Sequence, residues 1–188
     1  LVDSLTIPHV LQGSSTEIQE QFGIYSRGFA FTQIIVIFAS AIVFPLIPLL
    51  TSALAKRDIN LAKITIQNTN RLAHVLTAPL TIWLMALTVP LNVGLFTDVK
   101  GSSMLTVMIG SSYFTAVMVL SIGVLQGINR SAQAAWIVIG ASCVKVMLNM
   151  MFVQKFGIDG AAYSTLITYV LICIVNHLYI RSYIAYSI

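Results

Sequence analysis

The sequence predicts an all-α integral membrane protein, a polytopic helix bundle, on three observations. Of its 188 residues 57% are hydrophobic, only 9% are charged, and the charges are spaced so that long apolar stretches lie between them. An average soluble domain carries about 25% charged residues. A mean hydropathy of +0.91, with 9 Phe, 7 Tyr and 7 Met, also excludes disorder, collagen-like sequence and a disulfide scaffold. A β-barrel is excluded because its strands would be about ten residues long and alternate apolar with polar. Lipid is the solvent for most of this chain.

Taken in order, residues 1–11 (LVDSLTIPHVL) read as the tail of an earlier helix ending near Pro8. Charge-free stretches then run from Gly28 to Ala55, Leu72 to Thr97, Gly101 to Asn129 and Gly160 to Ile180, and a further one, Ser131 to Gln154, is broken only by Lys145. About 20 apolar residues at 1.5 Å rise cross a hydrocarbon core roughly 30 Å thick, so these are five membrane spans, 28–55, 72–97, 101–129, 131–154 and 160–180. None is a cleaved signal peptide, since the first exceeds a typical signal core and is followed by further spans. An odd number of spans and an opening at Leu1 read as a single transmembrane lobe, 1–188, cut from a longer membrane protein.

Charge placement predicts orientation. Lys56, Arg57, Lys63 and Arg71 between the first two spans share a face with Arg130 and Arg181, against Arg27, Lys100 and Lys155 opposite. The positive-inside rule makes the 56–71 loop and the C-terminus cytoplasmic. Asp3, Glu17, Glu20, Asp98 and Asp159 then fall on the outer side. The loop itself reads as helical, with Asp58 as N-cap to Ile59, Leu61 and Ala62. Pro45 and Pro48 in the first span and Pro79 and Pro90 in the second free backbone carbonyls and favour kinks, which serve hinges or packing. Gly123 and Gly127 form a G-x-x-x-G that lets another helix approach closely.

Within the spans, Lys145 is the strongest chemical signal, because an ionised group there must face protein or water. Ser142 and Asn149, at i−3 and i+4, extend a polar stripe along its face. Lys145 is either a cation lining a cavity or a group that pairs with a neighbouring helix or snorkels to the interface. Arg27 stands at the outer mouth of the first span, where its guanidinium fork suits a phosphate or simply sits at the interface. Gln126 and Asn129 add polarity near the cytoplasmic end of the third span. His74 and His177 lack a second ligand at metal spacing, so no metal site is expected. Cys143 and Cys173 behave as small hydrophobes. No catalytic triad, phosphate loop or carboxylate pair is present in the sequence, so neither an enzyme nor a cofactor is expected, and no basic–aromatic patch suggests nucleic acid.

The order of features resembles a family. The run YSRGFAFTQIIVIFASAIVFPLIPLLTSALAKRD (25–58), with its opening arginine, late proline and short loop, is similar to the eighth helix of MurJ-type lipid II flippases and of the polysaccharide-exporter and stage V sporulation protein B branch of the MATE-like superfamily. TAPLTIWLMALTVPLNVGLF, VLQGINR, VKVMLNMMFV and FGIDGAAYSTLITY follow in matching order, extending the resemblance from Val2 to about Ile180. The resemblance implies one lobe of a MATE-like two-lobe transporter in a bacterial cytoplasmic membrane, its spans corresponding to helices eight to twelve around an alternating-access cavity. It implies that Arg27 contacts the diphosphate of a lipid-linked saccharide precursor; from the residues themselves, Lys145, Asn149 and Gln126 are expected as further cavity residues. The expected function is a flippase for such a precursor, lipid II first among them, whose partners are membrane lipids, that substrate and the N-terminal lobe of the same chain.

Two alternatives stand beside it. A cation-coupled drug exporter of the same superfamily needs an acid within its spans, and these five contain none. A non-transporting membrane scaffold would tolerate neutral replacements of Arg27 and Lys145.

Overall fold

The computed structural model describes Asp3, Thr6, Ile7 and residues 15–186. Among the described residues six helices run in order, α1 Ser15–Ala55, α2 Ile59–Ala86, α3 Thr88–Phe96, α4 Ser102–Gly127, α5 Ser131–Phe156 and α6 Ile158–Tyr186, and there is no strand. Asp3, Thr6 and Ile7 are also helical. The expected end near Pro8 lies outside the described residues. Four helices, α1, α4, α5 and α6, are each long and apolar enough to cross a membrane, and α2 with α3 passes the same test as a bent pair. The all-α polytopic class holds.

Two boundaries differ from expectation. The first helix begins at Ser15, well before Gly28, and its 41 residues make it roughly 60 Å long, about twice the hydrocarbon thickness. Absence of charge marks where a helix meets lipid; it does not mark where the helix ends. The stretch 56–71 shrinks to a turn at 56–58, where Arg57 takes φ 57°. Asp58 caps α2 as expected, its Oδ1 accepting from Leu61 N at 2.9 Å. That helix then runs on through Arg71 into the second span with no boundary at Leu72.

The second span is also not one helix. It breaks at Leu87, and α2 and α3 meet at 62°. Pro90 explains the position, because a proline lacks the N–H that would bond the carbonyl four residues back, here Ala86, and its ring crowds that carbonyl. Thr88 compensates nearby carbonyls, its hydroxyl lying 3.1 Å from Leu84 O and 2.9 Å from Met85 O. Asn92 anchors α3 to the following turn by donating to Lys100 O and Ser102 Oγ, both at 3.1 Å. Of the four candidate hinge prolines, Pro45 and Pro48 stay within unbroken α1 and Pro79 within unbroken α2; only Pro90 sits at a break. A lone missing bond is absorbed where neighbouring helices hold the segment straight. Replacing Pro90 with Ala supplies the missing donor and straightens the pair. Spin labels at Val75 and Leu95, both exposed, then move apart by about 4 Å, and an unchanged distance would show that packing holds the bend.

The central helix is α4, which touches all five others. Its longest interface is with α1, and the G-x-x-x-G supplies part of it: a methyl at Gly123 would lie 2.5 Å from Val43 Cγ1, and one at Gly127 would lie 2.8 Å from Leu50 Cβ. Helices α5 and α6 form a hairpin around the single residue Gly157, whose φ of 59° and ψ of −141° are open to glycine alone. Buried apolar side chains gather in separate clusters along α4, one around Tyr25, Met104 and Met108, one around Ile35, Leu105 and Ile109, and one around Leu46, Leu50 and Val124. The outward faces stay apolar too, with Phe44, Ile82, Trp136 and Met147 all largely exposed. In water such a surface would aggregate; in lipid it is the solvated face.

Candidate functional site

Lys145 and Asn149 lie one turn apart on α5 and both point inward. What they meet is a carboxylate from the N-terminal segment. Lys145 Nζ donates to Asp3 Oδ2 at 2.6 Å, and Tyr25 OH of α1 donates to the same oxygen at 2.8 Å. Asn149 Nδ2 donates to Asp3 Oδ1 at 2.9 Å and Thr6 Oγ1 at 2.8 Å, while its own Oδ1 accepts from the Ser164 hydroxyl of α6. The ring of Tyr169, also on α6, lies 5.6 Å from Lys145 Nζ and adds a cation–π contact. One carboxylate thus joins α1, α5 and the N-terminal segment, and α6 closes the cluster.

Electrostatics accounts for this arrangement. Lys145 lies eleven residues, roughly 16 Å, from the Phe156 end of α5, and its side chain is 9% exposed. An ammonium in that setting is tolerable only with a counter-charge and with its protons satisfied. Asp3 supplies the charge, so the pair is neutral as a unit and the hydrogen bonds satisfy the remaining oxygens. Asp3 is therefore mostly buried, its side chain 18% exposed, and it reaches into the bundle rather than standing at its edge. Of the two roles read for Lys145, pairing with a neighbouring helix is the one its geometry displays. Ser142 stays out of the cluster and donates to Val138 O of its own helix at 2.8 Å.

Arg27 forms a second centre near the same end of the bundle. Its guanidinium lies over the Phe96 ring, 4.6 Å from the centroid, and its Nη1 is 3.9 Å from Asp98 Oδ2. That distance is beyond hydrogen-bond reach, and among the described residues the buried Nη1 has no hydrogen-bond partner. Asp98 is held in place by its Oδ1, which accepts from Lys100 N at 2.9 Å. Exposed Lys100 in turn bonds Glu20 Oε1 at 2.9 Å. That hydrogen bond, followed by the charges of Glu20 and Asp98, holds the ammonium above the ordinary lysine value. This fringe of charges lies where α1 meets the α3–α4 connection.

Gln126 stands apart from both centres, exposed near the far end of α4. The structure therefore joins Lys145 with Asn149 and leaves Arg27 and Gln126 in other places. His74 hydrogen-bonds Tyr113 OH through Nδ1 at 2.9 Å, and Cys173 Sγ donates to Phe114 O at 3.1 Å. Sequence reasoning missed Asp3, Tyr25, Thr6 and Ser164 as partners of Lys145. The signal that finds Asp3 is the lysine's need for an acid, combined with the helix-like run that carries Asp3 ahead of the first span.

Among curated proteins the chain is similar to the uncharacterized membrane protein YabM of Bacillus subtilis (strain 168), 31% identical over 167 residues. The match covers 88% of this chain and 31% of the relative, so the chain spans about a third of the length of the protein it matches. No protein-family model matches the chain, and no solved structure does so. The apolar helices, together with a relative named as a membrane protein, point to a multi-pass membrane protein, helical throughout its described elements.

Proposed function

We propose that the chain is the C-terminal lobe of a MATE-like flippase of the MurJ and stage V sporulation protein B type, which carries a lipid-linked saccharide diphosphate, lipid II first among candidates, across the cytoplasmic membrane by alternating access. The observation that carries the reading is Arg27, at the mouth of a membrane span, whose buried Nη1 has no hydrogen-bond partner among the described residues. A guanidinium in low dielectric gains most from a phosphate that it can grip through two parallel bonds. Asp98, at 3.9 Å, keeps the site neutral when empty yet is too far to occupy the donor. An entering diphosphate takes that donor, and Phe96 holds the guanidinium plane in place. Rocking of the two lobes then changes the side from which the bound headgroup is reached. The span of a third of YabM supports a lobe within a longer chain.

The exporter alternative needs a carboxylate free to exchange a cation. Asp3 reaches the interior from outside the five spans, but it already holds Lys145 at 2.6 Å, which favours the flippase. The test is Arg27→Ala in the full-length parent, reconstituted in liposomes with fluorescent lipid II. Loss of one charge-assisted contact lowers transfer roughly 10- to 100-fold, and Arg27→Lys recovers part of it. Wild-type transfer by Arg27→Ala would overturn the assignment.

A further inference from the structure

Asn176 of α6 is fully buried, and among the described residues neither its amide nitrogen nor its amide oxygen has a hydrogen-bond partner. Its surroundings follow from the helix register. Cys173, three residues earlier, donates to Phe114 O of α4 at 3.1 Å, and Ile180, four residues later, packs against the cluster of Leu125, Ile128 and Ala134. Residues three and four apart share a helix face, so Asn176 is turned toward α4. Asn149 of α5 shows the usual arrangement of a buried amide, with both its ends bonded. An amide enclosed by apolar side chains with both ends unused costs free energy that a leucine of similar size would not. Such groups are rare in folded proteins, and each has a physical reason.

Two further observations concern how α6 is held. Near its start it is pinned, since the Ser164 hydroxyl donates to Asn149 of α5 and the Thr165 hydroxyl lies 3.4 Å from Tyr25 OH of α1. Beyond the thiol bond of Cys173, which is weak by nature, the pins stop: among the described residues, none of positions 174–182 hydrogen-bonds another helix. The flank of the helix is also unpacked there. A cavity of about 360 Å³ lies between α5 and α6, lined by Ile137, Gly140 and Val144 on one side and by Leu171, Ile172 and Val175 on the other. Gly140 keeps it open, because a methyl there would meet nothing within 4 Å. No hinge within α6 is needed to use that space. Asn176 is eleven residues, roughly 16 Å, beyond Thr165, so a tilt of about 15° about Thr165 carries it about 4 Å, enough to admit water.

We infer that the Arg181 half of α6 is a gate, which swings toward α5 into the cavity and away from α4, so that Asn176 lines a water-filled crevice open at the Arg181 end of the bundle. The inference does not depend on the transport reading. Apolar contacts of Tyr179 and Ile180 with Leu125, Ile128 and Ala134 hold the gate closed, and the unused amide opposes closure. Water satisfies that amide in the open arrangement, so the residue sets the balance between the two. Leucine at the same position keeps the apolar contacts and removes the opposing cost.

The test uses the full-length parent in nanodiscs, with Cys143 and any other cysteine replaced by serine, so that half-buried Cys173 on the α4 side of α6 is the reporter. Its modification by a charged, water-soluble methanethiosulfonate reads the crevice. Asn176→Leu is expected to slow that reaction about tenfold and to raise the melting temperature by about 2 °C. Asn176→Asp, whose charge the closed packing does not tolerate, speeds the reaction about tenfold. His177→Leu, a change at the exposed neighbour, alters neither readout. Two outcomes overturn the inference. An unchanged Cys173 rate or a lowered melting temperature in Asn176→Leu would show that the amide is supported in the closed packing. A folded Asn176→Asp protein with the wild-type rate would show that α6 does not leave α4, and if that variant does not fold the Asn176→Leu comparison decides alone.

Discussion

Replacing Lys145 with methionine lowers the stability of the bundle by roughly 3–5 kcal/mol, the usual cost of stripping one partner from a buried ion pair. Methionine fills a similar length and keeps the apolar stem, so the loss comes from the carboxylate of Asp3. That group keeps its hydrogen bonds from Tyr25 and Asn149 but loses the charge that balanced it. Asp3→Asn has the mirror effect, leaving the ammonium facing a neutral amide. The double variant Asp3→Asn with Lys145→Met carries no unbalanced charge and recovers most of the loss, since buried pairs replaced together are often near neutral. Unfolding of the detergent-solubilised chain by thermal melt or by denaturing detergent gives the cycle. A coupling of about 2 kcal/mol or more is expected for residues in direct contact. A coupling near zero would show that Lys145 finds water or lipid headgroups instead of Asp3.

The same cluster shows what was legible in the sequence. Five spans could be read because lipid imposes a residue-by-residue penalty on charge, and a penalty of that kind leaves a local trace. The cap at Asp58 could be read for the same reason, since an N-cap and its amide are three residues apart. Asp3 and Lys145 are separated by 142 positions, and nothing in local pattern links them. Burial of an ammonium demands a carboxylate without saying which. The break at Leu87 was half legible: Pro45, Pro48, Pro79 and Pro90 carry the same covalent defect, and only tertiary packing decides which of them breaks its helix. Arg27 was found as a residue, but its setting was not, because Phe96 at the end of α3 and Asp98 in the α3–α4 connection lie far from it in sequence.

The G-x-x-x-G of α4 was visible, while its partner α1 was not, and the two glycines lead to different outcomes. A methyl at Gly123 meets the Val43 side chain, with Cγ1 at 2.5 Å, Cγ2 at 3.2 Å and Cβ at 3.4 Å. A methyl at Gly127 meets Leu50 at Cβ itself, 2.8 Å away, as well as at Cδ1. Valine is stiff about χ1, and Cβ of Leu50 moves only with its backbone. Each of Gly123→Ala and Gly127→Ala therefore forces α1 and α4 apart and costs about 1–3 kcal/mol. Rescue then separates them. Val43→Ala removes both Cγ atoms and leaves a Cβ at ordinary contact distance, so it restores close packing in the Gly123→Ala background. Leu50→Ala keeps the atom that clashes, so it does not restore Gly127→Ala and adds a cavity in the core around Leu46 and Val124. Thermal stability of the four single and two double variants decides the matter. Equal rescue at both sites would mean that the α1–α4 approach is looser at Gly127 than the Leu50 contact requires, and that side-chain volume, not backbone distance, limits it along its whole length.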